Sequence, residues 1–160
     1  MKPTRKRIVD IILLVLIFST VVFIFSRSML SKEASSEESR AVGGIIALIF
    51  PEGTAIGDFV QSNVRKIAHF VEFFVLGVEL SLFAYLSMKR KPYVLFSYLF
   101  LFVVAFLDET IQIFSGRGPS IIDVWIDFSG AFLAFTSIYL VPTAIIMINS
   151  KKKRTENNRG

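Results

Sequence analysis

The side chains able to do chemistry fall in three short stretches. Arg65, Lys66, His69, Glu72 and Glu79 recur at steps of three, four and seven, which gathers them on one face of a helix turning by about 100° per residue. Asp108 and Gln112 stand four apart with Glu109 beside them, and Asp123, Asp127 and Gly130 follow a third stripe. Residues so spaced share a helix side. Between the second and third stretches, Ser115-Gly116-Arg117-Gly118-Pro119-Ser120 reads as a tight loop.

Such a group suits several kinds of chemistry. His69 can act as general acid or base with Glu72 or Asp108 orienting it, so these three are the catalytic candidates. Arg117 offers a planar, permanently charged fork for phosphate or carboxylate, and the loop glycines let backbone N–H groups approach an anion. Glu109, Gln112, Gly116, Arg117, Asp123 and Asp127 are accordingly the ligand-binding candidates. The surplus of carboxylates also suits a divalent cation that bridges to a lipid phosphate. His69-x-x-Glu72 is only a lone helical pair, however, so no metal site is assigned and no cofactor follows.

Plainer roles compete with these. Glu79 can serve as a hydrogen-bonding link between helices, Arg117 can snorkel to a headgroup, and Arg65 and Lys66 suit interfacial anchors. The acids and His69 can also form a purely structural ion-pair network.

The elements that carry these residues are apolar. With 53% hydrophobic residues, 17 Phe and 19% charged in 160 residues, the chain is too apolar for an ordinary soluble domain. A spanning helix needs about 20 mostly apolar residues, and four stretches qualify: roughly Ile8 to Phe25, Ile67 to Met88, Tyr93 to Phe114 and Ile121 to Ile148. The first resembles a signal peptide, but its length and the poor cleavage site at Ser26-Arg27-Ser28 favour retention as an anchor. A charge at membrane depth costs several kcal/mol unless it is paired, solvated or turned to a protein interior, so the polar stripes must face inward.

The fold class expected is all-α: a polytopic four-helix transmembrane bundle. Lys2, Arg5, Lys6 and Arg7, the loop Lys89, Arg90 and Lys91, and the tail Lys151, Lys152, Lys153 and Arg154 fall on one side. The positive-inside rule makes that side cytoplasmic, with both termini in. The organisation expected is a basic flank and first span (1–27), an extracytoplasmic loop (28–64), a three-helix core (65–149) and a basic tail (150–160), its last residues disordered. Within the loop, Ser31 to Ser39 reads as a solvated linker, and 41–50 as a short re-entrant or interfacial segment. This topology brings all three polar stripes to the outer leaflet.

Composition also excludes. The absence of Cys removes disulfides and thiolate chemistry, and one His cannot build an imidazole-rich metal site. The net charge of +5 comes from basic clusters beside apolar runs, which points to membrane orientation and not to nucleic acid.

Lys66-x-x-His69-Phe70-x-Glu72-Phe73-x-x-Leu76-Gly77, Asp108-Glu109-x-x-Gln112-x-Phe114-x-Gly116-Arg117 and Asp123-x-x-x-Asp127-x-x-Gly130-Ala131 resemble, in that order, the VanZ-like family of small bacterial membrane proteins. The chain departs from the family pattern in having Phe73 where Tyr is common and Ala134 where a second Gly often follows. The family is named for a protein associated with resistance to the glycopeptide teicoplanin. The resemblance implies a multi-pass protein of the bacterial cytoplasmic membrane, linked to the cell envelope; it implies no reaction, and it does not imply that this member confers antibiotic resistance.

The functional expectation is therefore an outer-leaflet polar pocket that binds a lipid-linked envelope precursor or a lipid-anchored glycopeptide-type molecule, with membrane lipids as partners. An enzyme acting on a polyprenyl-phosphate-type lipid through His69 and the carboxylates is the alternative. A non-catalytic scaffold or an ion or proton path through Glu79 is a third. The residues name neither the ligand nor the oligomeric state.

Overall fold

The computed structural model describes residues 3–87, 92–118, 120–143, 146 and 148–150. Five helices run in the order α1 (Pro3–Ser28), α2 (Lys32–Ala47), α3 (Ala55–Ser87), α4 (Pro92–Phe114) and α5 (Ile121–Phe135), the last continuing into a π-helical turn, Thr136–Leu140. No strand occurs among the described residues. Four helices are long and apolar enough to cross a membrane: Thr4–Ser28, Ala55–Leu86, Val94–Phe114 and Ile121–Ser150. This is a multi-pass membrane protein, as its hydropathy pattern requires.

Burial follows the same logic. Phe73, Leu76, Leu101, Ala105, Ala131 and Phe135 are fully enclosed, while Ile11, Phe18, Leu95, Phe106 and Ile122 point outward from the spans. An apolar exterior suits lipid, so the polar stripes turn to the interior. The basic loop 89–91 and the tail 151–160, with Lys2, lie outside the described residues.

The most extensive packing is between α3 and α5, and glycine makes it possible. A Cβ added at Gly77 would overlap the carbonyl oxygen of Ala131, and one at Gly130 would overlap the carbonyl oxygen of Phe70. Small residues let membrane helices approach this closely. A ring cluster of Phe102, Trp125, Phe128, Phe132 and Tyr98 joins α4 to α5 with centroids 5.2–6.2 Å apart, a separation at which aromatic pairs attract.

Two features of the first loop differ from the sequence reading. The stretch Ser31 to Ser39, expected as a solvated linker, is helical: Ser31 caps α2 by accepting the Ala34 N–H at 3.3 Å, which satisfies a donor that would otherwise be orphaned. α2 then packs on α3, where Gln61 Nε2 donates to the Gly43 carbonyl at 2.8 Å. The second difference is that α3 begins at Ala55, not near Ile67. Thr54 holds that start, its hydroxyl accepting the Gly57 N–H at 3.0 Å. The segment 41–50 is thus the last part of α2 and a turn, with Ile45, Leu48 and Ile49 exposed.

Candidate functional site

The polar stripes meet at the end of the bundle where α1 finishes, α4 finishes and α5 begins. Helix rotation places His69 on the α3 face toward α5, and the Phe70–Gly130 contact brings Asp127 across to it. His69 Nδ1 lies 3.6 Å from Asp108 Oδ2 and 3.7 Å from Asp127 Oδ2. These distances are too long for hydrogen bonds. Asp108 and Asp127 are both fully buried. His69, Asp108 and Asp127 thus offer three donor atoms, all within 4.8 Å of one another.

Asp108 is held in place and Asp127 is not. Ser28 Oγ of α1 donates to Asp108 Oδ1, and Gln112 Nε2 donates to Oδ2 at 3.0 Å. Gln112 in turn accepts from Arg65 at 2.8 Å, and Ser115 Oγ donates to the Ser28 carbonyl at 2.7 Å. Three helices, α1, α3 and α4, are tied together around one carboxylate. Among the described residues, neither oxygen of Asp127 has a hydrogen-bond partner.

Gly116 ends α4 and aims Arg117. Its φ of 74° lets the Gly116 N–H reach the Ile113 carbonyl at 3.2 Å and the Arg117 N–H reach the Gln112 carbonyl at 3.1 Å. This paired pattern closes a helix on a left-handed residue, which glycine adopts freely. The turn folds Arg117 back over the bundle end, where it is buried and donates to Ser35 Oγ of α2 at 2.7 Å. Its Nε and second terminal nitrogen have no hydrogen-bond partner among the described residues. Burial, followed by the charge of Arg65, pushes this guanidinium below its ordinary pKa, while Asp108 and Glu109 oppose the shift.

The other candidates separate by role. Glu72, one turn from His69, pairs toward α1, 3.8 Å from Arg27, with one oxygen unbonded. Glu109 accepts the Ser120 backbone N–H, so it anchors the start of α5, where the Ser120 hydroxyl also accepts the Asp123 N–H at 3.2 Å. Asp123 keeps an unbonded oxygen and lines a small cavity with Arg65, Lys66, His69, Gln112 and Asp127. Gly118 is exposed, with nothing near it. Glu79 accepts from Thr20 of α1 at 2.9 Å.

Arg27, Ser28 and Ser35 belong to this site and carry no signal at sequence level, since they lie outside the three stretches. Arg65, expected as an interfacial anchor, is part of the polar network. A second cavity is lined by Arg27, Ser35, Glu38, Arg65, His69, Glu72 and Arg117, among others. Glu72 also lines a groove of about 350 Å³ between α1 and α3, whose other walls are Leu16, Ser19, Thr20, Phe23, Val71 and Val75. Polar cavity and mostly apolar groove therefore adjoin at one residue.

Compared with known proteins, residues 11–142 match the model of the VanZ/LLP1 family. No curated protein and no solved structure matches the chain.

Proposed function

The chain belongs to the VanZ/LLP1 family, and on that premise we propose that it binds a lipid with an anionic headgroup, the head in the Arg117 cavity and the tail in the groove between α1 and α3. The observation that carries this reading is the double role of Glu72, which lines both the polar cavity and the apolar groove. An amphiphile needs such a junction. Three guanidinium groups, Arg27, Arg65 and Arg117, face two carboxylates, Glu38 and Glu72, in the cavity, which leaves an excess of positive charge for a phosphate or carboxylate. Arg117 supplies buried donors that no group among the described residues uses, and donors of this kind favour an ionised acceptor.

A lipid-linked envelope precursor or a lipid-anchored glycopeptide has the required build: one charged head on a long apolar chain. The basic flanks in the sequence favour cytoplasmic termini by the positive-inside rule, and on this proposal the cavity faces the outer leaflet. A connection to teicoplanin resistance would follow from capture of such a molecule.

A phosphatidic acid carrying a diazirine on its acyl chain tests the proposal in nanodiscs. Cross-links are expected on α1 near Leu16 and Phe23 and on α3 near Val71 and Val75. Arg117→Gln is expected to lower their yield about tenfold, the equivalent of about 1.4 kcal/mol of binding. Labelling spread evenly over the exterior, or unchanged by Arg117→Gln, would overturn it.

The position of His69 between Asp108 and Asp127 favours one further reading, general acid–base catalysis on a polyprenyl phosphate held in the same cavity. Turnover of that substrate by the purified protein, measured with and without divalent metal, is its test; no turnover in either condition would overturn it.

A further inference from the structure

We infer that His69, Asp108 and Asp127 form a binding site for a divalent first-row metal ion, with Zn2+ and Mn2+ matching the donor set best. Donors around a tetrahedral Zn2+ at about 2.0–2.2 Å lie roughly 3.3–3.6 Å apart. His69 Nδ1 stands 3.6 Å and 3.7 Å from the two carboxylate oxygens, close to that spacing and outside hydrogen-bond range. The three groups approach one another at ion-pair distance with no hydrogen bond between them.

Asp127 supplies an independent indication. It is fully buried and both its oxygens lack a hydrogen-bond partner among the described residues. Buried carboxylates are ordinarily paired, hydrogen-bonded or bound to a metal. An imidazolium at His69 would neutralise one of the two acids, whereas a divalent ion with a neutral imidazole neutralises both. The surroundings also have the form of a metal site. Asp108 is oriented by Ser28 and Gln112, and Gln112 by Arg65, as outer groups orient metal-binding carboxylates. The small cavity against His69 and Asp127, where Asp123 keeps an unbonded oxygen, leaves space for about one water-sized ligand.

One nitrogen and two oxygens suit a borderline ion better than a hard or a soft one, since imidazole favours Zn2+ and its neighbours while carboxylates favour Mn2+ and Mg2+. Zn2+ is therefore expected to bind more tightly than Mn2+, and both more tightly than Mg2+ or Ca2+.

The full chain, purified in detergent without a polyhistidine tag and stripped with a chelator, is dialysed against Zn2+ and separately loaded with Mn2+. His69 is then the only imidazole present. One Zn2+ per chain is expected, and pulsed electron paramagnetic resonance of the Mn2+ form should show coupling to one imidazole nitrogen. His69→Gln should abolish the coupling, and Asp127→Asn should weaken Zn2+ binding at least about tenfold, or about 1.4 kcal/mol. Substoichiometric Zn2+ in the wild type, Mn2+ without nitrogen coupling, or unchanged binding by a folded Asp127→Asn would overturn the inference. The wild-type measurements decide the matter even if a variant does not fold. Lipid cross-linking and its dependence on Arg117 are read separately, so either proposal can fail without the other.

Discussion

Gly130 of α5 presses against the main-chain carbonyl of Phe70 in α3, with no room for a Cβ between them. Phe70 adjoins His69, and Asp127 lies one turn before Gly130 on the same helix. That contact therefore sets the separation of imidazole and carboxylate. Gly130→Ala would force backbone against backbone, a form of overpacking that costs about 1–3 kcal/mol. A lower melting temperature in detergent is expected, together with Zn2+ affinity reduced about tenfold. Wild-type behaviour in both measurements would show that α5 can shift without cost to the site.

Ser28 links α1 to the centre of the site. Its hydroxyl donates to the buried carboxylate of Asp108, and its own carbonyl accepts from Ser115. Ser28→Ala leaves an oxygen of Asp108 without its donor, so stability should fall by about 1–3 kcal/mol. Chemical denaturation in a fixed detergent checks this. An unchanged midpoint would mean that the Ser28 hydroxyl contributes nothing to holding α1 against Asp108.

The Gly116 turn should couple backbone conformation to ligand binding. At a φ of 74° an alanine costs about 1–2 kcal/mol, and relief of that strain would swing Arg117 off the bundle end. Gly116→Ala is expected to reduce lipid cross-linking along with stability. Gly118→Ala, whose Cβ meets nothing within 4 Å, is the control and should change neither.

Topology has a direct test because the chain contains no cysteine. Gly118→Cys places one thiol in the α4–α5 loop, in open space. A membrane-impermeant maleimide should label it in intact cells. Labelling only after the cells are opened would put the cavity on the cytoplasmic side and remove the outer-leaflet part of the proposal.

Much of this arrangement is legible in the sequence because a membrane simplifies the choices open to a helix. Apolar length identifies the spans, and the cost of exposing charge to lipid turns His69, Asp108 and Asp127 inward. What periodicity omits is rotation and partner choice between helices. Glu72 shares a stripe and a cavity with His69, yet its ion-pair partner is Arg27 of α1. Glu109, a ligand-binding candidate, also secures the N-terminus of α5 through the Ser120 N–H and keeps its other oxygen unbonded.

Ser28 and Ser35 carry no signal at all, since serine is common and their acceptors and donors come from α4 and the α4–α5 loop. The helicity of Lys32–Ala47 is hidden for a related reason. Its composition is that of a linker, and the helix rests on the Ser31 cap and on the contact of Gly43 with Gln61. Local propensity is a weak guide where a cap and a tertiary contact decide.

The most direct test of the lipid-binding reading is native mass spectrometry of the full chain released from membranes, alongside Arg117→Gln. One phosphate-bearing lipid is expected to remain bound to the wild type and to be largely lost from the variant. Wild-type protein emerging free of lipid, or both proteins carrying the same adducts in the same amounts, would contradict it.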